Sequence, residues 1–459
     1  MRRLAVVLLA WPVAGCLMGP NYERPVVDAP TAFRYEAAEA RETANLAWWT
    51  QFGDPVLDGL IDEALARNLT VQIAAANVEQ AAAVLTQTRS QLYPQASYGA
   101  NASGQRQNET VGTVYSYGAL AGASWELDLW GRIRRLSEAA RAQVLATEEA
   151  RRGVILSLVA SVANGYLQLR ALDEQLVIAV RSRAAYAESV RLFELQFKHG
   201  VQSKMTVEQA RTQYETAAAA VPQIESQIAQ TENALSVLLG RNPGPIPRGR
   251  SIGAFAMPDI PAGIPSDVLE RRPDIRQAEQ VLVAANAQIG AAKALYFPAI
   301  SLTGALGIAS VDLADLFKGP SGSWSYQGSI AGPIFTGGAI KAQVRQTEAA
   351  RKAAELGYAA AIQSAFADID TALVARAKLA EQLAAERRLV AAAREYGRLA
   401  RLQFDGGVAP YFTVLQAEQQ LFPAELNEVQ LRASLFAATV SIYKAMGGGW
   451  VSVAEQKTR

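Results

Sequence analysis

The chain has 459 residues, of which 50% are hydrophobic and 19% are charged, and its formal net charge is +1. Positive and negative charges nearly cancel, which argues against a nucleic-acid partner held by net charge. The chain contains one cysteine and one histidine, so it cannot form an internal disulfide and lacks the ligands for a zinc site of its own. We expect no cofactor and no metal.

The first 15 residues have the features of a signal peptide. Arg2-Arg3 form a positive region, Leu4–Trp11 an apolar stretch, and Val13-Ala14-Gly15 supply small residues directly before Cys16. This pattern resembles the lipobox of bacterial lipoproteins, which implies cleavage before Cys16 and acylation of that residue. Leu17 then favours the outer membrane, by resemblance to the bacterial sorting rule. The alternative is an ordinary signal peptide with an incidental cysteine.

A lipidated, extended segment is predicted for residues 16–53, because its prolines exclude a regular helix. From Asp54 the pattern predicts a short amphipathic helix to about Arg67. A longer helix follows to about Leu92 and ends at Tyr93-Pro94. No unbroken run of about 18 apolar residues follows the signal peptide, so a transmembrane helix is not expected.

The hydrophobic period then changes from 3.6 residues to 2, which predicts a β-hairpin over about 95–129 with a polar loop at 104–114. A second hairpin of the same kind is predicted at about 299–335. Apolar residues that alternate with polar or small ones carry this prediction: Tyr115, Tyr117, Trp125, Leu127, Ile300, Leu302, Leu306, Ile308, Trp324, Tyr326 and Ile330. A soluble two-sided sheet would show the same alternation, but four matching strands behind an outer-membrane signal favour transmembrane strands.

Long helical hairpins follow each strand pair, at about 132–240 and about 338–446. The helix over 338–403 alone, roughly 66 residues at about 1.5 Å per residue, would be about 100 Å long. Phe197-Lys198-His199-Gly200-Val201 reappears as Phe404-Asp405-Gly406-Gly407-Val408, at an offset of 207 residues. An internal duplication is therefore predicted.

The predicted organisation is a first repeat at 54–240, a proline-rich linker at 241–265, a second repeat at 266–447 and a polar tail at 448–459. Its fold class is a mixed α+β membrane protein that combines a long helical coiled-coil barrel with a transmembrane β-barrel. Four strands cannot close a barrel, and open sheet edges in lipid cost several kcal/mol per unsatisfied group. The chain must therefore assemble at least as a dimer, and three copies would supply twelve strands.

Several motifs resemble the outer membrane factors of the TolC/NodT type, in particular the outer-membrane lipoproteins of resistance-nodulation-division efflux pumps. The resemblance covers nearly the whole mature chain. It rests on Cys16, Gly19-Pro20-Asn21-Tyr22, Trp48-Trp49, Arg271-Arg272-Pro273-Asp274-Ile275, Phe297-Pro298, Gly407-Val408 and Thr413-Val414-Leu415.

This resemblance implies a lipid-anchored homotrimer in the bacterial outer membrane that extends into the periplasm. It also implies a twelve-stranded barrel, a periplasmic helical barrel, a periplasmic adaptor and an inner-membrane pump as partners. The turns at 197–203 and 404–410 would form the periplasmic aperture and the adaptor contacts. The candidate residues there are Lys198, His199, Gly200, Val201, Thr206, Gln209, Asp405, Gly406, Gly407, Val408, Thr413 and Gln416.

Family members often carry aspartates just inside this aperture, whereas this chain has Gln209 and Gln416 there, which puts an acidic ring in doubt. Asp405 is retained as a candidate gate or adaptor contact, and His199 is interpreted as a solvated turn residue. No enzyme is predicted, because Gly338 stands where a phosphate-binding loop needs lysine. The function predicted is passive export through an efflux duct. The alternatives are the exit duct of a type I protein secretion system and a periplasmic scaffold without a pore.

Overall fold

The computed structural model describes residues 17–26, 33, 47–108, 112–260, 270–447 and 450–451. The predicted signal peptide and Cys16 lie outside these residues, as do 261–265 of the predicted linker. Four strands and seven helices longer than one turn are described, in the order α1 (Pro55–Arg67), α2 (Leu69–Ser90), β1 (Gln95–Asn108), β2 (Gly112–Leu127), α3 (Arg132–Lys198), α4 (Lys204–Leu238), α5 (Pro273–Ala294), β3 (Ala299–Ser310), β4 (Gly322–Ala331), α6 (Ala339–Asp405) and α7 (Tyr411–Ala445). Long helices and a four-stranded sheet in one chain confirm the predicted fold class.

Local chemistry explains where the helices begin. Asp54 precedes α1, its carboxylate accepts a hydrogen bond from the Val56 amide at 2.9 Å, and Pro55 occupies the first helical position. Ser203 caps α4 in the same way, with its hydroxyl accepting from the Thr206 amide at 3.3 Å. The two copies differ here, because α7 has Pro410 in the capping position and no side-chain cap.

The sheet has the order β1-β2-β3-β4, and every neighbouring pair is antiparallel. The first hairpin is longer than predicted, because β1 reaches Asn108 and β2 starts at Gly112. The predicted polar loop at 104–114 is therefore mostly strand. Gly104 pairs with Tyr115 and Arg106 with Thr113. Backbone hydrogen bonding between the strands thus continues into a stretch where the side chains no longer alternate between apolar and polar.

Contacts divide the chain into two compact units that cut across the two sequence repeats. Among the described residues, the first unit comprises 17–26, 76–108, 112–149 and 277–360, and the second comprises 33, 47–75, 150–260, 270–276, 361–447 and 450–451. Each unit therefore draws segments from both repeats. The first unit contains the whole sheet, and a small alanine cluster of Ala139, Ala142, Ala284 and Ala287 packs α3 against α5 there.

The core of the second unit is aromatic where Trp48 and Trp49 meet Tyr443 and Trp450. The Trp48 ring stacks on Tyr443 at 5.2 Å between ring centroids, and Trp49 meets Trp450 edge-on at 5.1 Å. Trp450 is fully buried and Val451 nearly so. The prediction of a polar tail from residue 448 is wrong at these two positions, because an aromatic pocket formed by distant residues covers them.

Two further features bear on the predicted linker and on the prediction that no helix crosses the membrane. The described part of the linker packs into the core through Ile246, Ile252 and Phe255. Helix α3 is also long and apolar enough to cross a membrane by length and composition, although 61% of its most apolar stretch is buried inside the chain. A buried core helix passes the same test, so this finding does not favour a transmembrane helix.

Candidate functional site

The strand register places most of the large apolar side chains of the four strands on one face of the sheet, with Val114 and Leu120 of β2 as exceptions. Leu306 pairs with Ala121 on one side and with Trp324 on the other, and Tyr98 pairs with Ala121. Directly opposed residues in an antiparallel pair share a face. The other face carries small and polar residues: Gln95, Ser97, Asn101, Ser116, Ser124, Glu126, Ser301, Thr303, Ser325, Gln327 and Ser329.

The apolar face is bare in the single chain. Leu306, Trp324 and Tyr326 expose 67%, 76% and 81% of their surfaces. Large apolar patches of this kind mark a surface that meets lipid or a partner. The outer strands β1 and β4 each have one edge without a neighbour in the four-stranded sheet, so the sheet can be continued at both edges.

The two predicted aperture turns have the same backbone geometry. Gly200 and Gly407 adopt left-handed conformations, with φ of 77° and 73°. In the first turn Gly200 N–H donates to the Phe197 carbonyl and Val201 N–H to the Gln196 carbonyl, both at 2.9 Å. Gly407 and Val408 make the corresponding bonds 207 residues later, at 2.9 and 3.0 Å. Both turns are Schellman caps, which explains why glycine occupies the same place in each copy.

The predicted site residues in these turns are mostly exposed. Lys198, His199, Gly200 and Val201 are exposed in the first turn, and the second-turn residues Asp405, Gly406, Gly407 and Val408 are exposed as well. Asp405 ends α6, and its carboxylate lies 4.0 Å from the Arg401 guanidinium. Lys198 and Asp405 occupy equivalent positions, so the two turns present opposite charges on the same backbone.

In the first two turns of α4 and α7, exposed and buried residues alternate. Thr206, Gln209 and Thr413 are half-buried and Gln416 is exposed. Their neighbours in the same motifs are buried and bring the two helical hairpins together. This cluster, here named the turn cluster, comprises Phe193, Val207, Ala210, Ala400, Tyr411, Val414, Leu415 and Ala417. The rings of Phe193 and Tyr411 lie 4.0 Å apart within it.

A buried carboxylate joins three helices beyond the turn cluster. Glu425 on α7 is 5% exposed. Arg181 on α3 donates to it at 2.5 Å, and Arg394 on α6 donates at 2.9 Å. Because a carboxylate can accept several charge-assisted hydrogen bonds, both arginines bind it together. Glu425 thus connects the second hairpin to α3.

Glu418 lies on the same face of α7 and has a different environment. Its Oε2 atom is buried, and no group in the described part of the chain donates a hydrogen bond to it. Burial raises the pKa of Glu418 to about 7, while the Arg401 charge lowers it by less. Burial, together with the Glu418 charge, also raises the pKa of Tyr411 to about 12.

The segment after Cys16 is fixed to the first unit. Arg135 on α3 donates to the carbonyls of Met18 at 2.9 Å and Gly19 at 3.2 Å, and to the Asn21 side chain at 3.0 Å. Gly19 has a φ of 86°, and a Cβ there would lie 2.5 Å from the Gly290 Cα. These contacts explain the Gly-Pro-Asn motif as a clamp between the segment and two helices.

The Arg272-Pro273-Asp274 motif has a structural role at the start of α5. Arg272 is nearly buried, donates to the Asp274 carboxylate at 2.7 Å and to the Ala445 carbonyl at 3.0 Å, and also pairs with Asp368. The motif therefore ties α5 and α6 to the last turn of α7. The two carboxylates hold the pKa of Arg272 above its ordinary value despite burial.

Sequence analysis missed Glu418, Glu425, Arg181 and Arg394. One signal was present, because Glu418 and Glu425 interrupt an otherwise apolar face of α7 at a spacing of seven residues. The arginines gave no signal, since charged residues are frequent along α3 and α6.

A match to a known protein family covers both sequence repeats. The family model described as outer membrane efflux protein matches residues 60–241 and 264–448. The chain therefore belongs to the outer membrane efflux protein family, which confirms the resemblance. The two matched segments flank the proline-rich stretch between the repeats.

Individual relatives cover almost the whole chain. The probable efflux pump outer membrane protein TtgC of Pseudomonas putida is 37% identical over 463 residues, which is 97% of this chain and 95% of TtgC. The cation efflux system protein CusC of Escherichia coli is 34% identical over 98% of this chain and 99% of its own length. The open-state MtrE outer membrane channel of Neisseria gonorrhoeae superposes with a TM-score of 0.88 at 36% identity, over 95% of this chain and 99% of that one.

These findings fit the geometry of the sheet and the long helices. The chain is an outer-membrane channel subunit of an efflux system, and it extends from the outer membrane into the periplasm.

Proposed function

We propose that three copies of the chain form a passive exit duct, in which the sheets close a twelve-stranded barrel and the long helices form the periplasmic wall. One observation carries this proposal: the register gathers most of the large apolar side chains of the four strands on one face and leaves strand edges on β1 and β4. In lipid these edges must pair with other copies. The duct needs no catalytic group or cofactor, because the transport energy comes from its partners.

The duct is anchored by a lipid on Cys16. Support comes from the ordered segment directly after it, since Met18 N–H donates to the Trp130 carbonyl at 3.3 Å and Arg135 binds Met18 and Gly19. Trp130 stacks on Phe297 at 4.7 Å beside the start of β3. Aromatic residues of this kind favour the membrane–water interface. A lipid on Cys16 would thus enter the bilayer near the wall of the barrel.

Its partners are a periplasmic adaptor and an inner-membrane pump. The names of TtgC and CusC describe components of efflux systems. The two turns expose apolar residues at equivalent positions, namely Val201 and Met205 in the first copy and Val408 and Phe412 in the second. These exposed apolar side chains, which are flanked by Lys198 and Asp405, are the adaptor contacts. The aperture lacks an acidic ring at Gln209 and Gln416, so we expect little cation selectivity from it.

The test combines mass determination in detergent with single-channel recording in planar bilayers. We expect a trimer with a small conductance that rises when Val408→Gly and Gly407→Pro loosen the second turn. Asn108→Gly in the first strand hairpin serves as the control and should leave the conductance unchanged. A monomer, or a trimer without conductance in every variant, would remove the duct and leave a periplasmic scaffold.

A further inference from the structure

Helix α7 carries two carboxylates on the face that packs against α3, and their surroundings differ. Glu418 and Glu425 are seven residues apart, about two helical turns, so their side chains lie on one face. Glu425 is held by Arg181 and Arg394. The buried Oε2 of Glu418 accepts no hydrogen bond from any described residue. At this helix interface the Glu425 charge is therefore paired with two arginines, whereas Glu418 has no such partner.

The surroundings of Glu418 are aromatic rather than basic. The Tyr186 hydroxyl on α3 donates a hydrogen bond to the backbone carbonyl of Glu418 at 3.3 Å, so this hydroxyl proton is not available to the Glu418 carboxylate. Phe422 packs edge-on against the Tyr186 ring, with centroids 6.4 Å apart. Arg401 on α6 is the cation that faces the site, and it lies beside Asp405 as well.

The remaining titratable groups near Glu418 are acidic. Tyr411 lies on α7 itself and Glu425 lies two turns away, beyond Phe422. Tyr411 stays neutral, and Glu425 is already paired with Arg181 and Arg394, so neither residue donates a hydrogen bond to an ionised Glu418. A buried carboxylate without a donor is stabilised by a proton.

We propose that Glu418 is a proton-binding site, and that a proton bound there fastens the second helical hairpin to α3. The inference rests on the proposed function and adds to it that α7 separates from α3 near the turns when the duct opens. Separation of α7 from α3 would expose the carboxylate to water. The fastened state then binds a proton more tightly than the separated state, so lower pH favours the fastened state by linkage.

The direction and the pH window follow from the two states. The pKa of Glu418 is about 7 when it is packed and returns toward its ordinary value of 4.5 when it is solvated. The stabilising effect of the proton is complete below the lower value and is lost as pH rises toward the upper one. Above about pH 7 no further change is expected. Each pKa unit between the two states changes their ratio about tenfold.

The experiment is hydrogen–deuterium exchange of residues 411–425 in the full-length assembly in nanodiscs, from pH 4.5 to 8.5, with intrinsic exchange rates removed. For the unmodified chain we expect local opening to increase at least about tenfold up to about pH 7 and then to level off. Glu418→Gln should abolish this step. Glu425→Gln should increase exchange at every pH and retain the step, because it removes the ion pairs and leaves Glu418 unchanged.

A step that persists in Glu418→Gln would overturn the proposal, as would a flat profile in the unmodified chain. If Glu418→Gln does not assemble, Glu418→Met provides an apolar substitute of similar length and should give the same flat profile. Planar-bilayer recording of the same samples separates the two proposals. Absence of conductance with an intact exchange step would reject the duct and keep the proton site, and conductance without the step would do the reverse.

Discussion

Four glycines end the four longest helices, and they differ in what surrounds them. Gly200, Gly240, Gly407 and Gly447 all have φ near 70° to 77°. A Cβ at Gly200 or Gly407 would meet nothing within 4 Å, whereas a Cβ at Gly240 would overlap the Arg67 carbonyl. At Gly447 it would lie 2.6 Å from the Arg272 Cγ. The glycines of the predicted aperture turns thus serve backbone geometry alone, and the other two also allow close packing.

We therefore predict unequal effects from the same substitution at the glycines that follow α6 and α7. Gly407→Ala should lower the free energy of unfolding by about 1 kcal/mol, the cost of a left-handed alanine. Gly447→Ala should cost about 3 kcal/mol, because Arg272 must also move away from its carboxylate and carbonyl partners. Thermal unfolding of the detergent-solubilised assembly ranks the two variants. Equal shifts in the unfolding temperature of the two variants would show that Arg272 can move without losing stabilising contacts.

At the scale of single elements, the two faces of β3 have different roles. Leu306 lies on the apolar face and Ala305 on the polar face, and each pairs with residues of the same character on its neighbours, apart from the glycines. Since β3 has 12 residues, both positions lie near the middle of the strand. Substitutions at these two adjacent positions can thus test which face of the sheet meets lipid and which faces the lumen.

A lysine should therefore be harmful on one face only. Leu306→Lys is expected to cost about 2–4 kcal/mol, because its charge enters the bilayer near the midplane. Ala305→Lys should leave the yield of folded assembly in outer membranes within about twofold of the unmodified chain, since its charge would face water. Quantified outer-membrane fractions measure both. Similar losses in the two variants would contradict the assignment of the faces.

The clamp on residues 17–26 is a second element with a testable role. Arg135→Ala removes three hydrogen bonds to this segment. We expect faster protease cleavage there, by about tenfold or more, because each charge-assisted bond contributes about 1.5–3 kcal/mol. Arg141→Ala, at an exposed position on the same helix, is the matched control. Limited proteolysis of the assembled protein measures both, and unchanged cleavage in Arg135→Ala would mean that the segment is held elsewhere.

At the scale of the whole molecule, residues far apart in sequence meet in one aromatic core. Trp450 packs against Trp48 and Trp49, and Trp48 stacks on Tyr443. Residues that lie about 400 positions apart in sequence therefore stabilise each other. Burial of one tryptophan typically contributes several kcal/mol.

Truncation after Gly447 is expected to lower the free energy of unfolding by about 3–5 kcal/mol, because it removes the buried Trp450 and Val451. Truncation after Val451 keeps both side chains and should be nearly neutral. Thermal unfolding of the two truncated chains decides between them. If both behave alike, the aromatic core does not depend on Trp450.

Local patterns predicted most of this architecture, and long-range contacts account for what they missed. Helical composition and turn glycines located α3 and α6 to within about two residues, because these signals are contained in the segment itself. The strand faces followed from alternation. The turn cluster joins Phe193 to Tyr411, and Glu425 joins Arg181 to Arg394. No local period specifies such partners, so the site around Glu418 and the burial of Trp450 required the structure.

The duplication has a consequence for symmetry. Counting 207 residues back along the chain, Arg211 stands in place of Glu418 and Ala218 in place of Glu425. A ring of six identical half-length chains would place the same residue in every hairpin, and all six would respond together. In the proposed three-chain duct, fusion of two diverged halves would restrict the two carboxylates to alternate hairpins of the ring. A three-chain duct can thus keep one set of hairpins as a fixed frame while the other set moves, so its aperture would widen with threefold rather than sixfold symmetry.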